Sequence, residues 1–237
     1  MIKLETHCHT YLTSSCADND DNDTIESYIK AGYGGIVATN HFCKSGYDHY
    51  FKGQTHSEKI KAFFDFIDEF KNKCRAKGLK CFWGAEIRST VDGQEYMIIG
   101  LPKEVYFSEP CIYTYSQKQL FELAERHGAF MYQTHPFRDG VKVGDPKFLH
   151  GAEYFNGHYH HFNHNEKAEQ FVTDNNLVGL SGTDFHHHGQ PITAGIYIPE
   201  DVKDEKDYAK FLFLNDFKIV QDKETYQREL KKHKGIE

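Results

Sequence analysis

Short apolar runs alternate with amphipathic helical stretches along this chain, and one run after another ends in a histidine or a carboxylate. Residues 2–6 alternate apolar and polar side chains, as a strand does, and run into His7-Cys8-His9. Residues 35–39, Gly-Ile-Val-Ala-Thr, form a buried-strand pattern that meets Asn40-His41. The run over 81–85 leads to Glu86, that over 129–134 to His135-Pro136, and that over 152–155 to Asn156-Gly157. The run over 177–180 leads to Gly182-Thr183-Asp184-Phe185-His186. Between these strands the 3.6-residue period takes over. Helices are expected over 24–31, from an N-cap at Ser57 to a stop at Gly78, over 116–127 and over 166–175. A strand over 95–101 is expected to fold back in a hairpin across Val91-Asp92-Gly93. The tail adds a strand over 192–198, a helix over 206–214, a short strand over 217–220 and a charged terminal helix.

Strands alternating with helices imply a parallel sheet or a (β/α) barrel, and a barrel gathers the residues at its strand C-termini at one mouth. The expected fold is therefore an α/β, TIM-like barrel. The 237 residues fit one domain, expected over 1–237, and leave two small ones possible, with no linker or repeat to divide them. A net charge of -7 argues against long nucleic acid or a membrane surface as partner. No apolar run approaches the roughly 20 residues of a bilayer span. No leader pattern opens the chain and its six cysteines form no C-x-x-C pair, so reduced thiols and a cytoplasmic location are expected.

Side chains at i and i+2 on a strand share a face, so His7 and His9 point the same way. Mixed imidazole and carboxylate donors suit zinc, manganese or iron, whereas calcium takes oxygen alone. Seven candidate ligands, His7, His9, His41, Glu86, His135, Asp184 and His186, exceed the needs of one tetrahedral ion. Two or three divalent transition-metal ions sharing a carboxylate would use them, and Glu86 is the natural bridge. Arg88 and Arg138 come closely after Glu86 and His135 and match phosphate oxygens, so both are candidate catalytic and substrate-binding residues beside Glu86 and Asp184. His158 is a further substrate-binding candidate. The aromatic stripe Phe63, Phe64, Phe70 is expected to be core.

The ordered set of motifs resembles the PHP (polymerase and histidinol phosphatase) family across essentially the whole chain. His7-Cys8-His9-Thr10 is similar to its opening His-x-His-Thr, and Thr39-Asn40-His41 to its Thr-Asp-His. Gly84-Ala85-Glu86-Ile87, His135-Pro136 and Gly182-Thr183-Asp184-Phe185-His186 match its bridging-Glu, His-Pro and Gly-Ser-Asp-x-His motifs. The resemblance implies a distorted seven-stranded (β/α) barrel with ions in its mouth. It implies that His7, His9, Glu86 and Asp184 hold one ion, Glu86 and His135 a second, and His41 and His186 a third. Two positions depart from the family: only Cys16 or Asp18 stands where an Asp or His completes the third site, and Met97 stands where many members have a His.

The activity implied is hydrolysis of a small phosphate monoester by a hydroxide held between the ions. An amidohydrolase also opens its barrel with His-x-His but commonly bridges its ions with a lysine. A metal-binding sensor or scaffold and a PHP-type nuclease are the remaining alternatives.

Overall fold

The computed structural model describes every residue except Leu12, Thr13, Ser15, Pro110 and Glu237, and describes His49 by its backbone alone. Strand β1 (Ile2–Cys8) is followed by helix α1 (Asp21–Lys30), strand β2 (Gly35–Ala38) and the short β3 (His41–Phe42). Helices α2 (Lys44–Tyr50) and α3 (His56–Ala76) lead to the antiparallel hairpin of β4 (Lys80–Arg88) and β5 (Glu95–Ile99). Helices α4 (Lys103–Ser108) and α5 (Gln117–His127) precede β6 (Phe130–Gln133), β7 (Gly151–Asn156), helix α6 (Asn165–Asp174) and β8 (Val178–Gly182). The tail consists of β9 (Ala194–Ile198), α7 (Glu205–Leu214), β10 (Ile219–Gln221) and α8 (Lys223–Lys234).

The sheet runs β10-β9-β1-β2-β4-β5-β6-β7-β8, and β3 pairs with β4. It curls until β8 returns to β1. There Phe185 N–H donates to the His7 carbonyl, and His9 N–H donates to the Phe185 carbonyl. The resulting barrel is nearly closed, with β1, β2, β4, β5, β6, β7 and β8 as its staves. The distortion has a definite source. β5 is antiparallel to both β4 and β6, while the other neighbouring staves are parallel.

Strand alternation sorts the side chains of the barrel wall onto an inner and an outer face. Val37, Phe82, Met97, Phe130, Tyr132 and Leu180 share one cluster inside the barrel, closed below by Tyr208, Ala209 and Leu212 of α7. Their neighbours in sequence, among them Trp83, Ala85, Ile87, Tyr96 and Ile98, face outward. They pack on α3 through Phe64, whose ring lies 4.9 Å from that of Trp83. The α3 stripe is core, as the spacing required. Its N-cap is Thr55 rather than Ser57, because Thr55 and Glu58 complete a reciprocal capping box.

Candidate metal centre

The inward parity of Phe82 and Gly84 continues to Glu86, so the barrel wall aims this carboxylate at the mouth, above the apolar interior. His7 and His9 reach the same point from β1, and Asp184 from the loop after β8. The Nε2 atoms of His7 and His9 lie 3.0 Å apart. His7 Nε2 is 3.4 Å from Glu86 Oε1 and 3.4 Å from Asp184 Oδ1. His9 Nε2 is 3.4 Å from Glu86 Oε2 and 3.4 Å from Asp184 Oδ1. A tetrahedral ion bound at ~2.0–2.1 Å spaces its ligands by roughly 3.3–3.4 Å. The four side chains therefore fit a transition-metal ion. Both oxygens of the fully buried Glu86 lack a hydrogen bond among the described residues. A buried carboxylate oxygen without a hydrogen bond is costly, and a cation would remove that cost.

Neighbouring groups orient these donors. His7 Nδ1 lies 2.9 Å from Glu153 Oε1, and His9 Nδ1 lies 3.0 Å from Ser14 Oγ. His186 Nδ1 lies 3.0 Å from the Asp184 carbonyl. Engaging Nδ1 in each ring leaves the Nε2 lone pair for a metal, and a carboxylate behind a ligating histidine raises its basicity. Gly182 permits the Glu153–His7 contact, since a Cβ there would stand 2.5 Å from His7 Cβ and 2.6 Å from Glu153 Oε1. Arg138 donates to Asp184 Oδ2, to Asn156 Oδ1 at 3.0 Å and to Asn163 Oδ1 at 2.9 Å, which leaves Asp184 Oδ1 facing the histidines.

A second group surrounds the far side of Glu86. His135 Nε2 is 3.3 Å from Glu86 Oε1 and 3.5 Å from Glu95 Oε2. His41 Nδ1 is 2.8 Å from Glu86 Oε2, without hydrogen-bond geometry, and 3.8 Å from Glu95 Oε1. Glu95 is the donor that strand-end inspection misses. Because β5 is antiparallel, its first residue lies at the mouth, opposite Arg88 of β4. Met97, two residues deeper, pairs with Glu86 and is buried inside the barrel, so it supplies packing below the donor cluster. A third group forms where His9, His41 and His186 bring ring nitrogens within 4.8 Å of one another. Cys16 meets His186 and His41 at this point. Asp18 faces elsewhere, toward His187 at 3.2 Å. His135 and Asp184 both have left-handed backbones, with φ of 32° and 54°. Strain of that kind is often concentrated at functional sites, and His135 carries the added restriction of preceding Pro136.

The expected arginine pair separates. Arg138 lines the same cavity of about 320 Å³ as His41, Glu86, Glu95, His135 and His158. Arg88 is exposed and lines another cavity, with Lys44, Ser45 and Asp48, so its placement does not carry the expected role of substrate clamp. His158 is buried in the wall of the main cavity, 5.1 Å ring to ring from His186.

Charge within the site is strongly coupled. Burial would raise the Glu86 carboxyl, but the His7 and His41 charges hold it well below the ordinary range. Burial would lower His7, yet Asp184, Glu153 and Glu86 together hold it well above its ordinary value. His9 is pushed well down by burial and by His186 and His41. Burial would raise the Cys16 thiol, but hydrogen bonds from His186 and His41 bring it to about 6.

The chain is thus a nearly closed, TIM-like α/β barrel whose mouth gathers nitrogen and oxygen donors able to hold metal ions. Solved structures make the likeness more particular. Over 98% of this chain and 69% of the other, the fold matches a two-domain Bacteroides vulgatus protein described as containing a predicted PHP-like metal-dependent phosphoesterase, at 17% identity and a TM-score of 0.64. PsfC from Pseudomonas syringae matches over 99% of this chain and 97% of its own, at 13% identity and a TM-score of 0.67. Endonuclease Q, solved with a 27-mer duplex bearing an abasic lesion at its active site, matches over 89% and 56%, at 9% identity and a TM-score of 0.57. No family model and no curated protein matches the sequence. No helix among the described residues is long and apolar enough to cross a membrane.

Proposed function

We propose that this chain is a PHP-type phosphoesterase that hydrolyses a small phosphate monoester with two or three divalent transition-metal ions. The observation that carries the proposal is the donor cluster of His7, His9, Glu86 and Asp184, which closes to tetrahedral spacing around a carboxylate with no hydrogen bond. The description of the structurally similar Bacteroides protein as containing a predicted PHP-like metal-dependent phosphoesterase adds support. His135 and Glu95 would share a second ion with Glu86, and His41 and His186 would hold a third with Cys16 beside them.

When bound, the ions would lower the pKa of water and neutralise charge on the phosphoryl oxygens. The protein's own groups do the rest. Glu153 and Ser14 keep His7 and His9 turned inward, and Arg138 fixes Asp184. Arg138 Nη1 holds no hydrogen bond among the described residues, so it can also donate to a phosphate oxygen from the cavity wall. A cavity of about 320 Å³ fits a small ester better than a polymer.

The test is a panel of phosphomonoesters and phosphodiesters assayed with zinc, manganese or iron(II), using wild type and Glu86→Gln. Monoester turnover by wild type, reduced by at least ~100-fold in the variant, is expected if Glu86 bridges ions used in the chemistry. Diesterase activity alone would redirect the assignment to a nuclease. Inactivity of the metal-loaded wild type across the panel would leave a metal-binding scaffold.

A further inference from the structure

Beyond the Glu86 centre, the cavity rim carries a second concentration of imidazoles. His158 and His160 project from the turn after β7, and His187 from the loop after β8. We infer that these three side chains form a separate transition-metal site, suited to an imidazole-seeking divalent ion such as zinc, nickel or copper. Their ring nitrogens lie within 4.8 Å of one another, which is ligand spacing around one ion.

Two contacts prepare these rings. Asp18 Oδ1 stands 3.2 Å from His187 Nδ1, and the same Asp18 oxygen accepts the His188 backbone N–H. A carboxylate held behind Nδ1 turns Nε2 into the donor, the arrangement Glu153 imposes on His7. His158 Nδ1 accepts the His160 N–H at 3.3 Å, which identifies Nδ1 as its lone-pair nitrogen. That bond is long, so an ion competes for the lone pair with little loss. The His160 ring is held between His187, 4.7 Å away, and His233 of α8, stacked at 4.0 Å.

The donor chemistry selects the ion. No carboxylate belongs to the triad, so calcium and magnesium find no oxygen cage there. Three imidazoles suit zinc, copper or nickel and leave one coordination position open. The triad shares no residue with the groups around Glu86, and the inference stands without the phosphoesterase assignment.

Zinc content per chain, measured after equilibration at a buffered free-zinc concentration, tests this in wild type, His160→Ala, His187→Ala and Glu86→Gln. Each rim variant should hold one zinc fewer than wild type and keep the remainder. Glu86→Gln should lose zinc from the centre and keep the rim ion. Copper(II) titrated into zinc-free Glu86→Gln should give an electron paramagnetic resonance signal with imidazole-nitrogen splitting that is one copper per chain larger than in the same protein carrying His187→Ala as well. The His187 side chain is 25% exposed, and His187→Gln keeps its volume should the alanine variant fold poorly. Equal zinc in wild type and both rim variants would overturn the inference, and so would loss of every ion from them.

Discussion

Beneath the donor cluster, Glu5 Oε1 accepts the backbone N–H groups of His7 and Thr183 at 2.9 Å each, and Oε2 accepts the Tyr28 hydroxyl at 2.8 Å. Complete burial nevertheless dominates and raises this carboxyl from about 4.5 to about 7, against the opposing hydrogen bonds. The folded state thus binds a proton that the unfolded chain has released. Stability is highest below the unfolded value, falls as pH rises from 4.5 to 7, and levels off above that. The cost at pH 8 is roughly 3 kcal/mol. Glu5→Gln should remove this slope, since an amide oxygen still accepts both N–H groups and Tyr28 can accept from the amide. Urea melts of the two proteins between pH 5 and pH 8 measure it, and parallel pH dependence would count against a protonated Glu5. Glu153 and Glu95 would act on the proposed ions instead. Glu153→Gln should weaken metal affinity by about 10–100-fold, the usual effect of removing the carboxylate behind a ligating histidine. Glu95→Gln should release one ion at a lower chelator concentration than wild type does. Arg88→Ala should leave metal content unchanged. Competition with a chromophoric chelator ranks all three, and wild-type affinity in Glu95→Gln would remove Glu95 from the centre.

At the scale of elements, Gly182 shows how tightly β8 must approach β1. An added methyl meets His7 Cβ and Glu153 Oε1, both rigid in this setting, so Gly182→Ala should separate the strands that close the barrel. Overpacking of this kind costs about 1–3 kcal/mol. Metal affinity should fall together with the melting temperature; a destabilised protein with intact affinity would mean that His7 does not depend on this seam. The same strands show what was legible in the sequence. Parallel staves place their C-termini at the mouth, so His7, His9, His41, Glu86, His135, Asp184 and His186 could be found by looking just past the end of each apolar run. The hairpin of β4 and β5 was also legible, yet its consequence reverses the rule: an antiparallel stave presents its first residue, and Glu95 is such a residue. Glu153 escaped for another reason. It sits within β7 rather than after it, and only barrel closure brings it to His7, 146 positions away in sequence. A carboxylate inside an otherwise buried strand, Gly-Ala-Glu-Tyr-Phe-Asn, was the available signal. Arg88 shares its parity with Glu86, but β4 ends at that residue and its side chain leaves the mouth for solvent.

For the whole molecule, the barrel concentrates carboxylates and imidazoles whose charges an ion would balance. Without one, His7 and His41 hold protons above their ordinary values: burial opposes this, but for His7 the charges of Asp184, Glu153 and Glu86 outweigh it, and for His41 that of Glu86 does. His186 is raised as well, with Asp184 the main charge acting against burial. A histidine ligand must be neutral, so metal uptake at pH 7 has to expel these protons. Two consequences can be measured together. Calorimetric zinc titrations in two buffers of different ionisation enthalpy should show at least one proton released per chain at pH 7. Zinc affinity should fall as pH drops below 7, because protons compete for the same nitrogens. Uptake is also linked to folding, since an ion present at ~1,000 times its Kd stabilises the native state by about 4 kcal/mol. A chelator should therefore lower the melting temperature at pH 7.5 and have a shrinking effect as the buffer becomes more acidic. The zinc-free protein, in contrast, should retain the contribution of the His7 ion pairs in acid. Because its folded-state value is raised, that contribution is present below the ordinary histidine value and disappears as pH rises through the raised one. Identical heats in both buffers, or an affinity independent of pH between 6 and 8, would mean that the ions bind elsewhere than at His7, His9, Glu86 and Asp184.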